Sequence, residues 1–159
     1  MKLRECPAQG RRLERLFSSV FRRAKGGDTT KGWRVLIVSA ERNRGVVQNA
    51  LSNWAIEPVC CSSLEEARGF LPDETLSLIF CEDTLSDGSY RDILRPPGKP
   101  MKTRVVVISE ISDDQKYNEA KQLGAFDVVS SPCRQSDIQW IVIRAIQEET
   151  RHSGARGRF

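Results

Sequence analysis

The sequence lacks the residues and motifs that identify several common classes of protein. It contains a single histidine, His152, and its five cysteines form no C-x-x-C pair, which argues against a zinc site or a histidine-based catalytic triad. No apolar run approaches the roughly 20 residues that span a bilayer, and no secretory signal precedes the first strand-like run. Neither G-x-G-x-x-G nor G-x-x-x-x-G-K-[ST] follows that run, so dinucleotide or P-loop binding has little support. We therefore expect a cytoplasmic protein with reduced thiols.

The residues that are present indicate one globular domain between basic ends. A chain of 159 residues, 39% of them hydrophobic, can bury one sizeable core. Residues 1–32 carry nine Lys or Arg against three Asp or Glu, a balance of +6, whereas residues 33–150 carry 13 against 18, a balance of −5. We predict a basic N-terminal helix and linker over 1–32, a domain over 33–150 and a basic disordered tail over 151–159.

The basic N-terminal segment has helical periodicity over residues 11–25. Leu13, Phe17, Val20 and Phe21 share one face, and arginines occupy the other. We favour contact of this helix with a protein partner or with a second copy of the chain. An acidic membrane surface is the alternative, and nucleic acid is the weakest of the three candidates.

From Trp33 onwards, strand-length apolar runs alternate with helical periodicity. Strands are predicted over 34–38, 58–61, 76–81, 104–109 and 126–129, with helices between them and a last helix over 136–149. Ser63 and Glu66 form a capping box, and Asp113 or Asp114 begins a helix that Gly124 ends. Near-continuous apolar strands predict an α/β fold with a doubly wound parallel sheet.

In such a fold the functional site lies beyond the carboxyl ends of the strands. Candidate residues stand at four of these ends, and most of them are polar. The candidates are Ser39, Ala40 and Glu41 after the first strand, Glu82, Asp83 and Thr84 after the third, Ser109 and Glu110 after the fourth, and Ser131 after the fifth.

Four stretches in the same order resemble the receiver domain of bacterial response regulators, over about residues 33–149. They are R-V-L-I-V-S-A-E, E-D-T-L-S-D-G-S-Y, V-V-V-I-S and L-G-A-F-D-V-V-S-S-P. The resemblance implies a flavodoxin-like (βα)5 three-layer sandwich with parallel strand order 2-1-3-4-5, preceded here by the N-terminal amphipathic helix.

Receivers accept a phosphoryl group on an Asp, with a cation held by an acidic pair, a Lys that neutralises the phosphate and a Thr or Ser hydroxyl. The resemblance puts Glu82 at the acceptor position and Ser131 at the lysine position, and it keeps Ser109 as the hydroxyl. The acidic pair becomes Ser39 and Ala40, with only Glu41 nearby. Glu110 occupies a position where receivers usually have a small residue. Val128 occupies the position of the aromatic switch residue, whose side chain changes rotamer on phosphorylation.

These departures predict a degenerate receiver, or pseudo-receiver, because phosphoryl transfer depends on positioning and charge neutralisation. Glu82 is either a mimic of phosphorylated Asp that reaches Ser109 or a solvated acid. Asp83 is a less favoured acceptor, since strand alternation is expected to turn it away from the pocket. Cys81 and Cys133 are interpreted as core residues rather than as a redox pair.

The expected function is that of a stand-alone receiver-like signalling module in a two-component or phosphorelay system. It would be no enzyme, need no cofactor and bind a protein: a kinase, a regulator or, as a homodimer, itself. The expected surface is residues 113–149, with Trp140 as an anchor if exposed and a core residue otherwise. Two alternatives stay open: a phosphotransfer-competent response regulator that accepts phosphate on Glu82 or Asp83 with Mg²⁺, and a small-ligand-binding α/β domain.

Overall fold

Alternating strands and helices are seen in the computed structural model, which describes residues 32–52, 54–71, 75–94, 102–111 and 113–156. The strands are β1 Arg34–Val38, β2 Glu57–Cys61, β3 Leu76–Glu82, β4 Thr84–Leu85, β5 Gly88–Ser89, β6 Arg104–Ser109 and β7 Asp127–Ser130. The helices are α1 Glu41–Leu51, α2 Leu64–Arg68, α3 Tyr90–Leu94, α4 Asp114–Gln122 and α5 Gln135–Arg156. The predicted N-terminal helix and linker lie outside the described residues.

Five strands form one parallel sheet in the order β2-β1-β3-β6-β7. Strands β4 and β5 pair with each other as a two-residue antiparallel hairpin apart from that sheet. Without the hairpin, the order is the predicted 2-1-3-4-5, and the flavodoxin-like fold class is confirmed. Strand order reverses between β1 and β3. The segments that follow these two strands therefore run to opposite faces of the sheet and leave a crevice, which is where α/β proteins usually bind ligands.

The sheet is buried on both faces, which explains its near-continuous apolar strands. Leu78, Ile79, Phe80 and Cys81 in the central β3 are all fully buried. Phe80 packs in the cluster formed with α1 and α5, and Ile79 packs in the cluster formed with α2, α3 and α4. Two helical layers thus enclose the sheet, because consecutive strand residues point to opposite faces.

Three helix boundaries follow the signals in the sequence. The Ser63 hydroxyl accepts a hydrogen bond from the Glu66 backbone N–H at 3.2 Å, and the Asp113 carboxylate accepts one from the Lys116 N–H at 2.8 Å. These side chains satisfy donors that a helix start leaves without partners. Gly124, just after α4, has φ of 103°, a conformation that favours glycine.

The Leu-Ser-Asp-Gly segment forms the turn of the β4–β5 hairpin and contacts the start of α2. The two carboxylate oxygens of Asp87 accept the backbone N–H groups of Leu64, at 2.8 Å, and of Glu65, at 2.9 Å. These hydrogen bonds hold the pKa of Asp87 below its usual value, because they favour the charged carboxylate. The hairpin that follows Glu82 and Asp83 is thereby fixed to the body of the domain.

The last helix is longer than the sequence pattern predicted. Helix α5 continues to Arg156, so the prediction of a disordered tail from residue 151 is wrong for residues 151–156. Residues 157–159 lie outside the described part of the chain. Among the described residues, no helix is both long enough and apolar enough to cross a membrane.

Candidate functional site

The carboxyl ends of four neighbouring strands enclose a cleft of about 310 Å³. Ser39 follows β1, Glu82 ends β3, Ser109 ends β6 and Ser131 follows β7. Backbone hydrogen bonds tie these ends to their neighbours, from Ser131 N–H to the Ser109 carbonyl at 2.8 Å and from Asp83 N–H to the Ile108 carbonyl at 2.7 Å. The cleft is lined by Ala40, Arg42, Asn43, Glu82, Asp83, Thr84, Ile108, Glu110, Ile111 and Ser131.

Glu82, at the position assigned to the phospho-acceptor, is hydrogen-bonded by two side chains of the protein itself. Its Oε1 accepts the Ser39 hydroxyl at 2.7 Å and the Asn43 amide Nδ2 at 3.0 Å. Ser39 is fully buried and Asn43 is 4% exposed, so both donors are held in place by packing. The Glu82 carboxylate is thus partly buried and bonded rather than a freely solvated acid.

Asn43 links the ends of β3 and β7 and was not among the predicted site residues. Its Nδ2 also lies 3.0 Å from the Ser131 Oγ, and its Oδ1 accepts the backbone N–H of Cys133 at 3.3 Å. Ser131, at the position assigned to the lysine, therefore belongs to the same group of hydrogen bonds as Glu82. The ends of β3 and β7 are joined through one amide, and Ser39 joins the end of β1 to the same Glu82 carboxylate.

Asp83 forms a second polar cluster with Ser109 and Lys116. The Ser109 Oγ lies 3.2 Å from the Asp83 Oδ2, and the Lys116 ammonium lies 2.9 Å from the same oxygen. The Ser109 hydroxyl also donates to the Ile111 carbonyl at 2.8 Å and accepts the Ile111 N–H at 3.2 Å. Lys116 belongs to α4 and was not predicted as part of the site.

This second cluster corrects two expectations. Asp83 is not turned away from the pocket, because β3 ends at Glu82 and strand alternation no longer applies to the next residue. The proposed contact between Glu82 and Ser109 is not found in the described structure. Ser109 bonds instead to Asp83, and Glu82 bonds to Ser39 and Asn43.

The remaining predicted residues lie at different distances from the cleft. Ala40, Thr84 and Glu110 line it with exposed side chains. Glu41 is exposed in the first turn of α1 and does not line the cleft. Val128 is on β7 and lines a separate groove beside α5.

The cysteines near this edge of the sheet are packing residues, as the sequence interpretation proposed. Cys81 is fully buried and Cys133 is nearly so. Burial raises the pKa of the Cys133 thiol to about 11 and raises that of Cys81 further, because a buried thiolate loses its hydration. The reactive thiolate form is therefore disfavoured at both positions.

A divalent cation of the kind receivers use does not fit the residues at this site. Such an ion requires several oxygen ligands in a defined arrangement, and within the described ranges no group of three or more His, Cys, Asp or Glu side chains is placed to hold one. At the two positions assigned to the acidic pair, Ser39 directs its hydroxyl to Glu82 and Ala40 offers no ligand.

Comparison with known proteins adds information on the fold. No protein-family model matches the chain, and no curated protein matches its sequence. Solved structures do match it. A response regulator from Thermotoga maritima aligns with a TM-score of 0.63 and 24% identity, over 72% of this chain and 97% of that one. The signal receiver domain of a protein described as a Luxo repressor, from Vibrio parahaemolyticus, gives a TM-score of 0.67 at 13% identity, over 79% of this chain and 97% of that one.

The chain has the fold of a response-regulator receiver domain. A two-component response regulator from Clostridium difficile supports the same conclusion, with a TM-score of 0.62 and 23% identity over 74% of this chain and 97% of that one. Identities of this size are informative about the receiver fold and not about the chemistry at its strand ends. What the site of this receiver fold does must be argued from its own residues.

Proposed function

We propose that the protein is a receiver-like signalling module of a two-component type of system that binds a protein partner and does not accept phosphate in the usual way. The observation that carries this proposal is the hydrogen bonding of Glu82 by Ser39 and Asn43. Both hydrogen bonds are to Oε1 and hold the carboxylate in place, and a Glu side chain extends one methylene farther than the Asp of a receiver, which disfavours in-line attack on phosphorus. In this view the module is not an enzyme, needs no cofactor and works in the cytoplasm.

The charges around Glu82 support the same proposal. An incoming phosphoryl group carries negative charge that must be balanced by cations or hydrogen-bond donors. Ser131 stands where the resemblance expects a lysine, and it contacts Asn43. Exposed Glu110 adds a carboxylate at the rim of the cleft. Recognition of a partner makes no such demand on these residues.

Partner binding is assigned in this proposal to the surface formed by α4, β7 and α5. Strand β7 is the outer strand of the sheet, and a groove of about 420 Å³ runs beside it, with Val128 and Trp140 among its lining residues. Trp140 is 38% exposed and Tyr117 is 43% exposed, so Trp140 does not complete the core. Exposed aromatic side chains are frequent anchors of protein interfaces.

Replacing Trp140 with alanine is expected to weaken binding at least tenfold while leaving the domain folded, since Trp140 is 38% exposed and belongs to neither core cluster of the described residues. The partner is first identified by cross-linking in the source cells, and its affinity is then measured by calorimetry. Glu65→Ala, an exposed change on α2, is the control. Equal affinities for the wild type and Trp140→Ala would contradict the assignment, and concentration-dependent self-association would identify a second copy as the partner.

The absence of phosphate acceptance is tested by intact-mass spectrometry. The full chain is incubated with acetyl phosphate and Mg²⁺, and the expected result is no added phosphoryl group, because Glu82 is bonded to Ser39 and Asn43 and a serine, Ser131, stands at the lysine position. An active response regulator treated in parallel checks the reagent. A one-phosphate adduct that disappears in Glu82→Gln would refute the proposal.

Phosphate acceptance on Asp83 is a second candidate function, favoured by one specific arrangement. The Asp83 carboxylate lies in the cleft with a hydroxyl from Ser109 and an ammonium from Lys116 on the same oxygen. Those are two of the groups that a receiver uses around its phosphate. An adduct that is lost in Asp83→Asn and retained in Glu82→Gln would support this candidate over the first. Saturable binding of a small molecule in the cleft, without an adduct, would instead support a ligand-binding domain.

A further inference from the structure

Lys116 is placed differently from the other lysines described on the domain surface. It lies in the first turn of α4 and its side chain is only 16% exposed. The ammonium is 2.9 Å from the Asp83 Oδ2 and 5.7 Å from the centre of the Tyr90 ring. Lys121 and Lys102, by contrast, are exposed. A partly buried cation therefore connects α4 to the end of β3.

The contact joins four separate segments of the receiver fold. Asp83 follows β3, fully buried Ser109 ends β6, Lys116 is in α4, and the Tyr90 ring at the start of α3 faces the ammonium. Charge-assisted bonds with low exposure are stronger than ion pairs in open solvent. The Ser109 Oγ lies 3.2 Å from the Asp83 oxygen that Lys116 contacts, so the two side chains meet at one carboxylate oxygen.

Among the described residues of the first turn of α4, Asp114, Gln115 and Tyr117 are exposed and Lys116 is partly buried. Ala120 is the buried residue of this helix, and Tyr117 points outward. The other ion pair of α4, between Glu119 and Arg91, is more exposed and therefore more strongly screened by solvent. The position of the first turn of α4 thus depends on Lys116 more than on apolar packing.

We propose that the ion pair between Lys116 and Asp83, completed by Ser109, is the positioning device that holds α4 against the carboxyl end of the sheet. It rests on the proposed function in one respect: the partner surface of α4, β7 and α5 is kept in a single arrangement by the protein's own lysine, without phosphate. Lys116 is a positioning residue here, since it acts on α4 through its contact with Asp83.

The test is hydrogen exchange of backbone amides in the full chain, resolved by NMR. Lys116→Met is expected to speed exchange of the α4 amides about tenfold, the size expected for loss of a partly buried charged hydrogen bond, while amides of β1 and β3 keep their rates. Lys116→Arg should restore most of the protection, since it keeps the cation. The matched control is Lys121→Met in the same helix, where the lost bond is to the Phe126 carbonyl.

A double-mutant cycle separates this role from a general structural one. Asp83→Asn alone should speed α4 exchange about as much as Lys116→Met, and the double variant should be no faster than either single one. Unchanged α4 exchange in Lys116→Met, or additive effects in the double variant, would overturn the inference. Intact-mass measurement of the same samples reports on the proposed function independently: an adduct would refute that proposal and leave the exchange result standing.

Discussion

Replacing Asn43 with alanine is expected to lower the free energy of unfolding by about 2–4 kcal/mol, a large effect for one polar side chain. The change removes both donors and the acceptor of an amide that is 4% exposed. Glu82 keeps Ser39 as a donor, but the Cys133 N–H loses its acceptor, and the Ser131 hydroxyl loses its partner. A buried polar group left without a partner carries the full cost of its desolvation.

Urea unfolding followed by circular dichroism measures this effect, with Asn49→Ala as the matched control. Asn49 lies on the same helix and is exposed, so its replacement should change stability by less than about 0.5 kcal/mol. Asn43→Asp should destabilise at neutral pH as well, because it removes the donor and adds a carboxylate next to Glu82. A loss in Asn43→Ala as small as that in Asn49→Ala would mean that the amide does not hold the strand ends together.

The second large effect is expected at Gly88, in the hairpin that follows the site. A Cβ at this position would lie 2.6 Å from the Asp92 Oδ2 and 2.7 Å from a methyl carbon of Leu64. Leu64 is buried at the start of α2 and has little room to move, and Asp92 accepts the Ser89 N–H. Gly88→Ala should therefore cost about 1–3 kcal/mol, as other overpacked sites do.

Gly45→Ala is the matched control for Gly88→Ala, and it is expected to raise the free energy of unfolding rather than lower it. Gly45 is exposed in α1, and an added Cβ there meets no atom within 4 Å. Alanine is a better helix former than glycine, so this variant should gain up to about 1 kcal/mol in the free energy of unfolding. Destabilisation of similar size in both variants would show that close packing at Gly88 is not the cause. Both are measured by urea unfolding.

Much of the fold could be predicted because each element carries its own local signal. The five predicted runs that became β1, β2, β3, β6 and β7 each lie within one residue of the observed strand ends. The Ser63 side chain caps the start of α2, and Gly124, which has no side chain, allows the positive φ just after α4. Both are short-range effects of single residues. The end of α5 was missed because residues 151–156 lack the apolar stripe from which the helix over 136–149 was predicted.

The site was harder to predict because its contacts join residues far apart in the sequence. Asn43 and Ser131 are 88 positions apart, and Lys116 and Asp83 are 33 apart along the chain. One signal was nevertheless present. Asn43 stands one helical turn before buried Val47, and Lys116 stands one turn before buried Ala120. A polar residue on the buried stripe of a helix indicates that a polar partner faces it.

The consecutive acids Glu82 and Asp83 show that the alternation of side chains along a strand cannot be extended past the strand's last residue. Alternation of side chains holds while the backbone stays in the sheet, and β3 leaves the sheet after Glu82. Each carboxylate then acquires its own partners: Ser39 and Asn43 for Glu82, Ser109 and Lys116 for Asp83. The substituted positions were identified from the sequence, but the pairing of each acid required the three-dimensional structure.

The measurement that tests the central claim most directly is a titration of the wild-type chain with beryllofluoride and Mg²⁺, followed by fluorine and amide NMR. Beryllofluoride resembles a phosphoryl group on a carboxylate. Since Glu82 is held by internal donors and a serine, Ser131, stands at the lysine position, we expect no bound fluorine signal and no shift of the Glu82 and Asp83 amides. A saturable bound signal with shifts at these two residues would contradict the account.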